Sequence, residues 1–225
     1  EEAGNHPKLI KANRKSINES LKPIIALKHS TVSNKYNQLQ LKFKGDYSVE
    51  FRAFDDGIAY RFITNKKGMI EVGNEIFQVN FPENYLLHMQ QPGGVKTAYE
   101  EEYRHVQSQE WKATGSMALL PLLIDTRKDY KILISESALA DYPALFLKSN
   151  DRNGMLSVFP KVPLEFGEDG DRSLKILKEA NYIAKTNGQR CFPWRYFVIT
   201  KDDGQLIENT MNNQVFFNTG IIEEL

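Results

Sequence analysis

The feature that most constrains the fold of this chain is a strict alternation of polar and apolar residues around one short turn. Ser48–Phe54 alternates, Asp55, Asp56 and Gly57 interrupt the pattern, and Ile58–Ile63 resumes it. Period-two alternation is typical of half-buried antiparallel strands. In tight turns, glycine supplies a positive φ and aspartate supplies local hydrogen bonds. The pattern therefore predicts an antiparallel β-hairpin at this position.

Short stretches of the same kind recur along the chain, at residues 38–43, 75–80, 117–123, 130–135, 145–147, 156–159 and 196–199. Pro121 interrupts one of them, which favours an edge strand or a strand end. Strands at this spacing predict an all-β sandwich or barrel. Only residues 173–182 and 205–209 suggest helices, and both stretches are short. Since all-β sandwiches often exceed 200 residues, we predict a single β-sandwich domain over residues 1–225.

Charge and composition exclude several kinds of partner. Lysine and arginine total 29, and aspartate and glutamate also total 29. Because no net charge attracts a polyanion, neither nucleic acid nor a membrane surface is expected as a partner. No apolar run approaches the length that crosses a bilayer. Cys191 is the only cysteine, so an intrachain disulfide is excluded.

An acidic loop flanked by two aromatic residues is the main candidate site. Tyr99–Tyr103 reads Tyr-Glu-Glu-Glu-Tyr and follows the loop residues 90–94, Gln-Gln-Pro-Gly-Gly. Carboxylates offer the oxygen ligands that Ca²⁺ prefers, and aromatic rings offer flat faces with a polar handle to a sugar. Most charge runs are simply solvated surface, however, and composition alone favours that interpretation. Both interpretations stay open at the level of composition.

Two further segments place charged or aromatic side chains at the end of a predicted strand. Trp194 and Arg195 supply a large apolar face and a rigid fork of donors, but a tryptophan beside an arginine at a strand start is more often a packed edge with a buried ion pair. Glu136 and Asp141 stand at another strand end, where they could hold a loop or meet a ligand. Structure is favoured over binding for the Trp–Arg pair.

Known catalytic and metal templates are missing from the sequence. The histidines at 6, 29, 88 and 105 lack the short spacings of zinc sites. No nucleophile elbow, phosphate-binding loop or dinucleotide fingerprint is present. Each histidine alone is more often a structural or surface residue than a ligand. No catalytic residue is therefore predicted in this chain.

Four motifs taken in order carry a resemblance to a known family. They are FRAFDDGIAYRF at 51–62, YEEEY at 99–103, ISESALADY at 134–142 and PWR at 193–195, the last before a Val-Ile-Thr strand. In this order and at this spacing, the set resembles the N-terminal domain of glycoside hydrolase family 97, from about residue 19 to about residue 217. The specificity lies in the succession of motifs rather than in any one of them.

The resemblance implies an antiparallel β-super-sandwich of the galactose-mutarotase-like kind, with few short helices. In the family this domain is normally followed by a linker and a catalytic (β/α)₈ barrel, which carries the acid and its partner carboxylate. The family comprises α-glucosidases and α-galactosidases that act on α-linked oligosaccharides and are typically exported to the periplasm. Because this hairpin comes after only about fifty residues, we expect the domain to be incomplete at its N-terminal edge. Because the last recognisable strand lies shortly before Leu225, we expect the barrel to lie outside this chain.

The resemblance also implies a shared calcium site. In the calcium-dependent members, a glutamate from a tyrosine-flanked loop reaches a Ca²⁺ at the domain interface; the matching position here is Glu100, or Glu102 if the loop register shifts by two. Tyr99, Tyr103 and Trp194 are the candidate sugar platforms. Since Ca²⁺ takes six to eight oxygen ligands, the chain alone is expected to bind the ion weakly or not at all.

Two alternative functions stay open from the sequence. The chain could be a stand-alone carbohydrate-binding or mutarotase-like module of the same sandwich class, or a plain interaction or structural β domain. A mutarotase-like reaction needs a histidine and a carboxylate that converge on the sugar ring. His88 or His105 near Glu100 is the only combination in the sequence that offers this.

Overall fold

Antiparallel strands form almost all of the regular structure. The computed structural model of the chain describes residues 3–26, 28–171 and 173–216. The strands in these residues are β1 Leu9–Leu21, β2 Val32–Phe43, β3 Tyr47–Phe54, β4 Gly57–Val72, β5 Gln78–Asn80, β6 Leu86–Gln90, β7 Tyr103–Gln107, β8 Met117–Ala118, β9 Leu122–Asp125, β10 Lys131–Ser137, β11 Phe146–Asn150, β12 Gly154–Val158, β13 Pro163–Glu168, β14 Leu174–Glu179, β15 Ala184–Cys191 and β16 Trp194–Thr200. The helices there are α1 Ser108–Thr114, α2 Asp203–Glu208 and α3 Met211–Phe216.

The strands form one large sheet and two smaller ones. The ten-stranded sheet has the order β1-β2-β3-β4-β16-β10-β9-β6-β7, and β15 pairs with the second half of β4. A four-stranded sheet has the order β5-β12-β11-β8, and β13 pairs with β14 as a separate hairpin. Neighbouring strands in each sheet run antiparallel. The predicted all-β antiparallel sandwich is confirmed.

The predicted hairpin is present as β3 and β4, joined by Asp55 and Asp56, but its glycine has another role. Gly57 does not adopt a positive φ. A Cβ at this position would lie 2.1 Å from the carbonyl oxygen of Phe197 and 2.5 Å from the end of Met211. The glycine is therefore required by the close approach of β16 and α3, and the prediction that it supplies a positive φ was wrong.

Two other predictions were corrected by pairing between distant segments. Residues 173–182 do not form a helix, because β14 lies there and pairs with β13, with Phe166 opposite Ile176. The predicted strand at 117–123 is divided at the cis peptide bond between Leu120 and Pro121. Its two halves, β8 and β9, belong to different sheets. The helix predicted near 205–209 is confirmed as α2, whose first turn is capped by the Asp202 side chain.

Two buried clusters lie on opposite faces of the large sheet. The larger cluster fills the space between the ten-stranded and four-stranded sheets and includes Leu87, Ile134, Leu147 and Met155. The smaller cluster lies on the other face and packs Trp194, with other residues of β16, against α3. The sandwich core thus lies under β6, β9, β10 and β16, next to the acidic loop.

None of the helices in the described ranges combines the length and apolarity that a membrane span requires.

Candidate functional site

The acidic loop lies at one edge of the large sheet. It follows β6, which ends at Gln90, and leads into β7, which begins at Tyr103 and is the terminal strand of the sheet. Glu100, Glu101 and Glu102 are all exposed. Within the described ranges, no three His, Cys, Asp or Glu side chains are placed to hold a metal ion together. The carboxylates are therefore accessible from outside the domain.

The loop is fastened to the domain through Tyr99 and through a backbone carbonyl. The Tyr99 ring packs on buried Phe146, with 6.1 Å between ring centroids. Burial and the nearby Glu136 raise the pKa of the Tyr99 hydroxyl. Tyr99 also has a positive φ of 59°, a region that bulky residues seldom adopt. The Gln90 side chain donates a hydrogen bond to the Glu101 carbonyl. These contacts fix the backbone on both sides of Glu100 and leave its carboxylate in solvent.

Lys96 connects the same loop to the separate β13–β14 hairpin. Its Nζ donates to the Leu174 carbonyl at 2.6 Å and lies 3.3 Å from the Asp169 carboxylate. The hairpin exposes apolar side chains, and 53% of the Phe166 surface is accessible. Lys96 therefore ties the segment before the acidic loop to the turn of a hairpin that exposes apolar residues.

The two tyrosines of the motif have different environments. Tyr99 is 48% exposed and has one side on Phe146. Tyr103 is 50% exposed and starts the edge strand opposite Gln90. Tyr103 therefore offers a freer ring face than Tyr99 does, and Tyr99 contributes to anchoring the loop.

Trp194, the third predicted sugar platform, lies in the core. It has no exposed surface, and the guanidinium groups of Arg52 and Arg61 lie 4.3 and 4.4 Å from its ring centroid. Both arginines pair with buried Glu50, at 3.0 and 3.1 Å. Stacking of cations on an aromatic face is favourable when the pair is shielded from water. Because its ring is covered in this way, Trp194 cannot stack on a sugar in this structure, and its role is packing.

Arg195 forms the buried ion pair that the sequence favoured. Its Nε and Nη2 donate to both carboxylate oxygens of Glu75, at 2.8 and 2.9 Å, and its Nη1 donates to Glu136. Glu136 also accepts the backbone N–H of Leu145 at 3.1 Å. Burial raises the pKa of Glu136 to about 7, against the opposing effect of Arg195. One guanidinium thus joins the segment before β5 to the ends of β10 and β16.

Asp141 holds a loop, which was one of the two roles open for it. Its carboxylate lies 2.8 Å from Arg190 Nη1 and accepts a hydrogen bond from the Thr186 hydroxyl at 2.8 Å. Although burial opposes the shift, the hydrogen bond from Thr186 and the charge of Arg190 lower the pKa of Asp141. The loop after β10 is therefore tied to β15.

Sequence reasoning missed Glu75 and the pairing of two histidines. Glu75 lies 120 positions from Arg195, and the only available signal was the general need of a buried guanidinium for carboxylates. His88 and His105 are directly opposite each other on β6 and β7. The register of that hairpin, which would have revealed the pair, could not be read across the intervening loop.

The fold and the exposed loop define a class of protein: an all-β sandwich domain that presents an anchored acidic loop at a sheet edge. The family model described as "Glycosyl-hydrolase 97 N-terminal" matches residues 1–216. The chain belongs to this family, the N-terminal domains of glycoside hydrolase family 97.

Known relatives agree with this assignment. The chain is 31% identical over 223 residues to a retaining alpha-galactosidase of Bacteroides thetaiotaomicron, covering 93% of this chain and 33% of that protein. A family 97 enzyme from Pseudoalteromonas sp. strain K8, solved in complex with acarbose, has a similar fold, with a TM-score of 0.67 at 20% identity over 91% of this chain and 30% of that one. A beta-arabinopyranosidase gives a TM-score of 0.64 at 20% identity, over 87% of this chain and 32% of that one. The chain thus spans about a third of the relatives it matches.

Proposed function

We propose that this chain is the non-catalytic N-terminal domain of an exo-acting α-glycosidase, which packs on a catalytic (β/α)₈ barrel of the same polypeptide. Its acidic loop lends Glu100 to a Ca²⁺ at the interface of the two domains, beside the site for an α-linked oligosaccharide. The parent enzyme acts in the periplasm on α-glucosides or α-galactosides. The exposed carboxylate of Glu100, on a loop whose backbone is held at Tyr99 and Glu101, is the observation that carries this proposal.

The geometry of the loop supports an ion that is shared between domains. Ca²⁺ takes six to eight oxygen ligands, and a single loop can supply only a few of them. The fixed backbone at Tyr99 and Glu101 lowers the entropy that Glu100 loses when it binds an ion. A calcium ion beside two catalytic carboxylates can orient them and alter their pKa values. The shared site therefore links this domain to chemistry that takes place on the barrel.

The relatives support the domain arrangement. The alpha-galactosidase and the acarbose complex each contain about two-thirds of additional chain. The exposed apolar hairpin next to the acidic loop suits a surface that another domain covers, because buried interfaces need apolar area beside their polar groups. Tyr103, whose ring is accessible, is the residue of this domain that is best placed to contact a sugar.

The experiment compares this chain with the parent enzyme that contains the barrel. In calorimetry, we expect weak or undetectable Ca²⁺ binding by the chain alone and one tighter site in the parent enzyme. In assays on aryl α-glucosides and aryl α-galactosides, chelator should abolish the parent's activity and added Ca²⁺ should restore it. Submicromolar binding by the chain alone, or activity that is insensitive to chelator, would contradict the proposal.

A further inference from the structure

A pair of histidines faces solvent next to the acidic loop, on the last two strands of the large sheet. His88 on β6 and His105 on β7 are directly opposite each other. Their Nδ1 atoms are 2.6 Å apart, and the rings meet edge to face with 4.6 Å between centroids. His105 is exposed and His88 is half-buried. Two nitrogens of metal-ligating type thus converge on one point at an accessible surface.

The short distance has a definite chemical meaning. Two imidazole nitrogens this close are joined by a hydrogen bond, in which one ring donates its Nδ1–H to the lone pair of the other. When the donor ring carries its proton on Nε2 instead, both Nδ1 lone pairs are free and a metal cation can accept them. Binding of a metal therefore needs a change of tautomer on one ring and a wider separation of the two nitrogens.

Ligand type favours some metals over others. Imidazole nitrogen suits the later divalent transition metals, and the affinity of a nitrogen site rises through Ni²⁺ to Cu²⁺. With metal–nitrogen bonds of about 2.0–2.1 Å, two ligands on one ion are roughly 2.9–3.4 Å apart, so the hydrogen-bonded pair at 2.6 Å has to widen to hold an ion.

The neighbouring strands give the pair one covered side and one open side. On the other neighbouring strand, Leu123 lies opposite His88. The site thus has an apolar side, and its solvent side leaves further coordination positions open to water.

We propose that His88 and His105 form a two-histidine site for a divalent transition metal, Cu²⁺ or Ni²⁺, separate from the calcium site at Glu100. The two sites select different ions, because Ca²⁺ prefers oxygen ligands and imidazole suits the later transition metals. Because Tyr103 is two residues before His105 on the same strand, metal at this site also holds the end of the acidic loop against β6.

Calorimetry with CuCl₂ and NiCl₂ on the tag-free chain tests the site. We expect one ion per chain, and affinity at least tenfold weaker in His88→Gln and in His105→Gln. His6→Gln and His29→Gln are the matched controls and should bind as the unsubstituted chain does. Unchanged binding in either His88→Gln or His105→Gln, or no saturable binding by the unsubstituted chain, would overturn the proposal.

Two measurements keep the test independent of folding and of the calcium proposal. In the unsubstituted chain, substoichiometric Cu²⁺ should broaden the imidazole NMR signals of His88 and His105 before those of the other histidines; broadening of His6 or His29 first would contradict the assignment. Glu100→Gln should leave Ni²⁺ binding unchanged. A loss of Ni²⁺ binding in that variant would place the metal at the acidic loop and overturn the two-histidine site.

Discussion

Two motifs of the family pattern have opposite environments, although both combine aromatic and charged residues. Trp194 and Arg195 are fully enclosed, and every strong contact they make is with the domain itself. The loop from Tyr99 to Tyr103 is fastened by its backbone and by one ring, and its three carboxylates remain in solvent. The enclosed motif therefore stabilises the sandwich, whereas the open motif is accessible from outside the domain.

The largest effect on the free energy of unfolding should come from removing the buried charge of Arg195. Arg195→Ala leaves Glu75 and Glu136 buried without their counter-ion, and breaking a buried pair in this way costs about 3–5 kcal/mol. Chemical denaturation of the chain measures the loss. The matched control is Arg104→Ala on the exposed face, which should stay within about 0.5 kcal/mol. A loss in Arg195→Ala no larger than in the control would show that the ion cluster does not support the fold.

A smaller loss is expected where the sheet approaches α3. Gly57→Ala introduces a Cβ at 2.1 Å from the Phe197 carbonyl oxygen, and overpacking of this kind costs about 1–3 kcal/mol. Gly93→Ala is the control, because a Cβ there meets nothing within 4 Å. Equal unfolding free energies for the two variants would contradict the close approach of β4 and β16.

The enclosed cluster should also make stability depend on pH in one window. Because burial raises the pKa of Glu136 from 4.5 to about 7, the folded chain retains a proton between these values that the unfolded chain has lost. This contribution to stability therefore falls as pH rises through the window, by at most about 1.4 kcal/mol per pH unit. Glu136→Gln removes it.

Unfolding of the unsubstituted chain and of Glu136→Gln from pH 4.5 to pH 8 measures this pH dependence of stability. The unfolding free energy of Glu136→Gln minus that of the unsubstituted chain should rise up to about pH 7 and then level off. The opposite tendency of His88, whose pKa is lowered, is present in both proteins and cancels in the difference. A difference that stays constant with pH would contradict the raised pKa of Glu136.

The smallest effect on stability belongs to the open motif. Glu100→Gln changes an exposed carboxylate, so the free energy of unfolding of the chain should change by less than about 0.5 kcal/mol. Thermal and chemical unfolding check this. A loss comparable to that of Arg195→Ala would mean that the loop is part of the framework and would remove the contrast between the two motifs.

Sequence reasoning succeeded where the signal was local. The alternation around Asp55 and Asp56 gave the β3–β4 hairpin, and the polarity of the YEEEY run was enough to predict an exposed loop. It failed where a distant partner decides the structure: Leu174 and Ile176 fit a helix as well as a strand until β13 pairs with them.

The reason for a residue was also hidden when it lay in another segment. Gly57 is needed because of Phe197, which lies 140 positions further along the chain, rather than because of its own turn. The partners of Arg195 and the pairing of His88 with His105 depend on sheet order and hairpin register. Neither can be derived from a single sequence by periodicity, because periodicity reports which face a residue occupies and not what lies opposite it.

The most direct test of the account is a calcium titration of the chelated parent enzyme carrying Glu100→Gln, Glu101→Gln or Glu102→Gln. We predict that recovery of glycosidase activity requires at least tenfold more Ca²⁺ in Glu100→Gln, while Glu101→Gln recovers as the unsubstituted enzyme does. The same deficit in Glu102→Gln alone would move the ligand by two residues and retain the shared site. Normal recovery in all three variants would contradict the claim that this loop contributes to a calcium site.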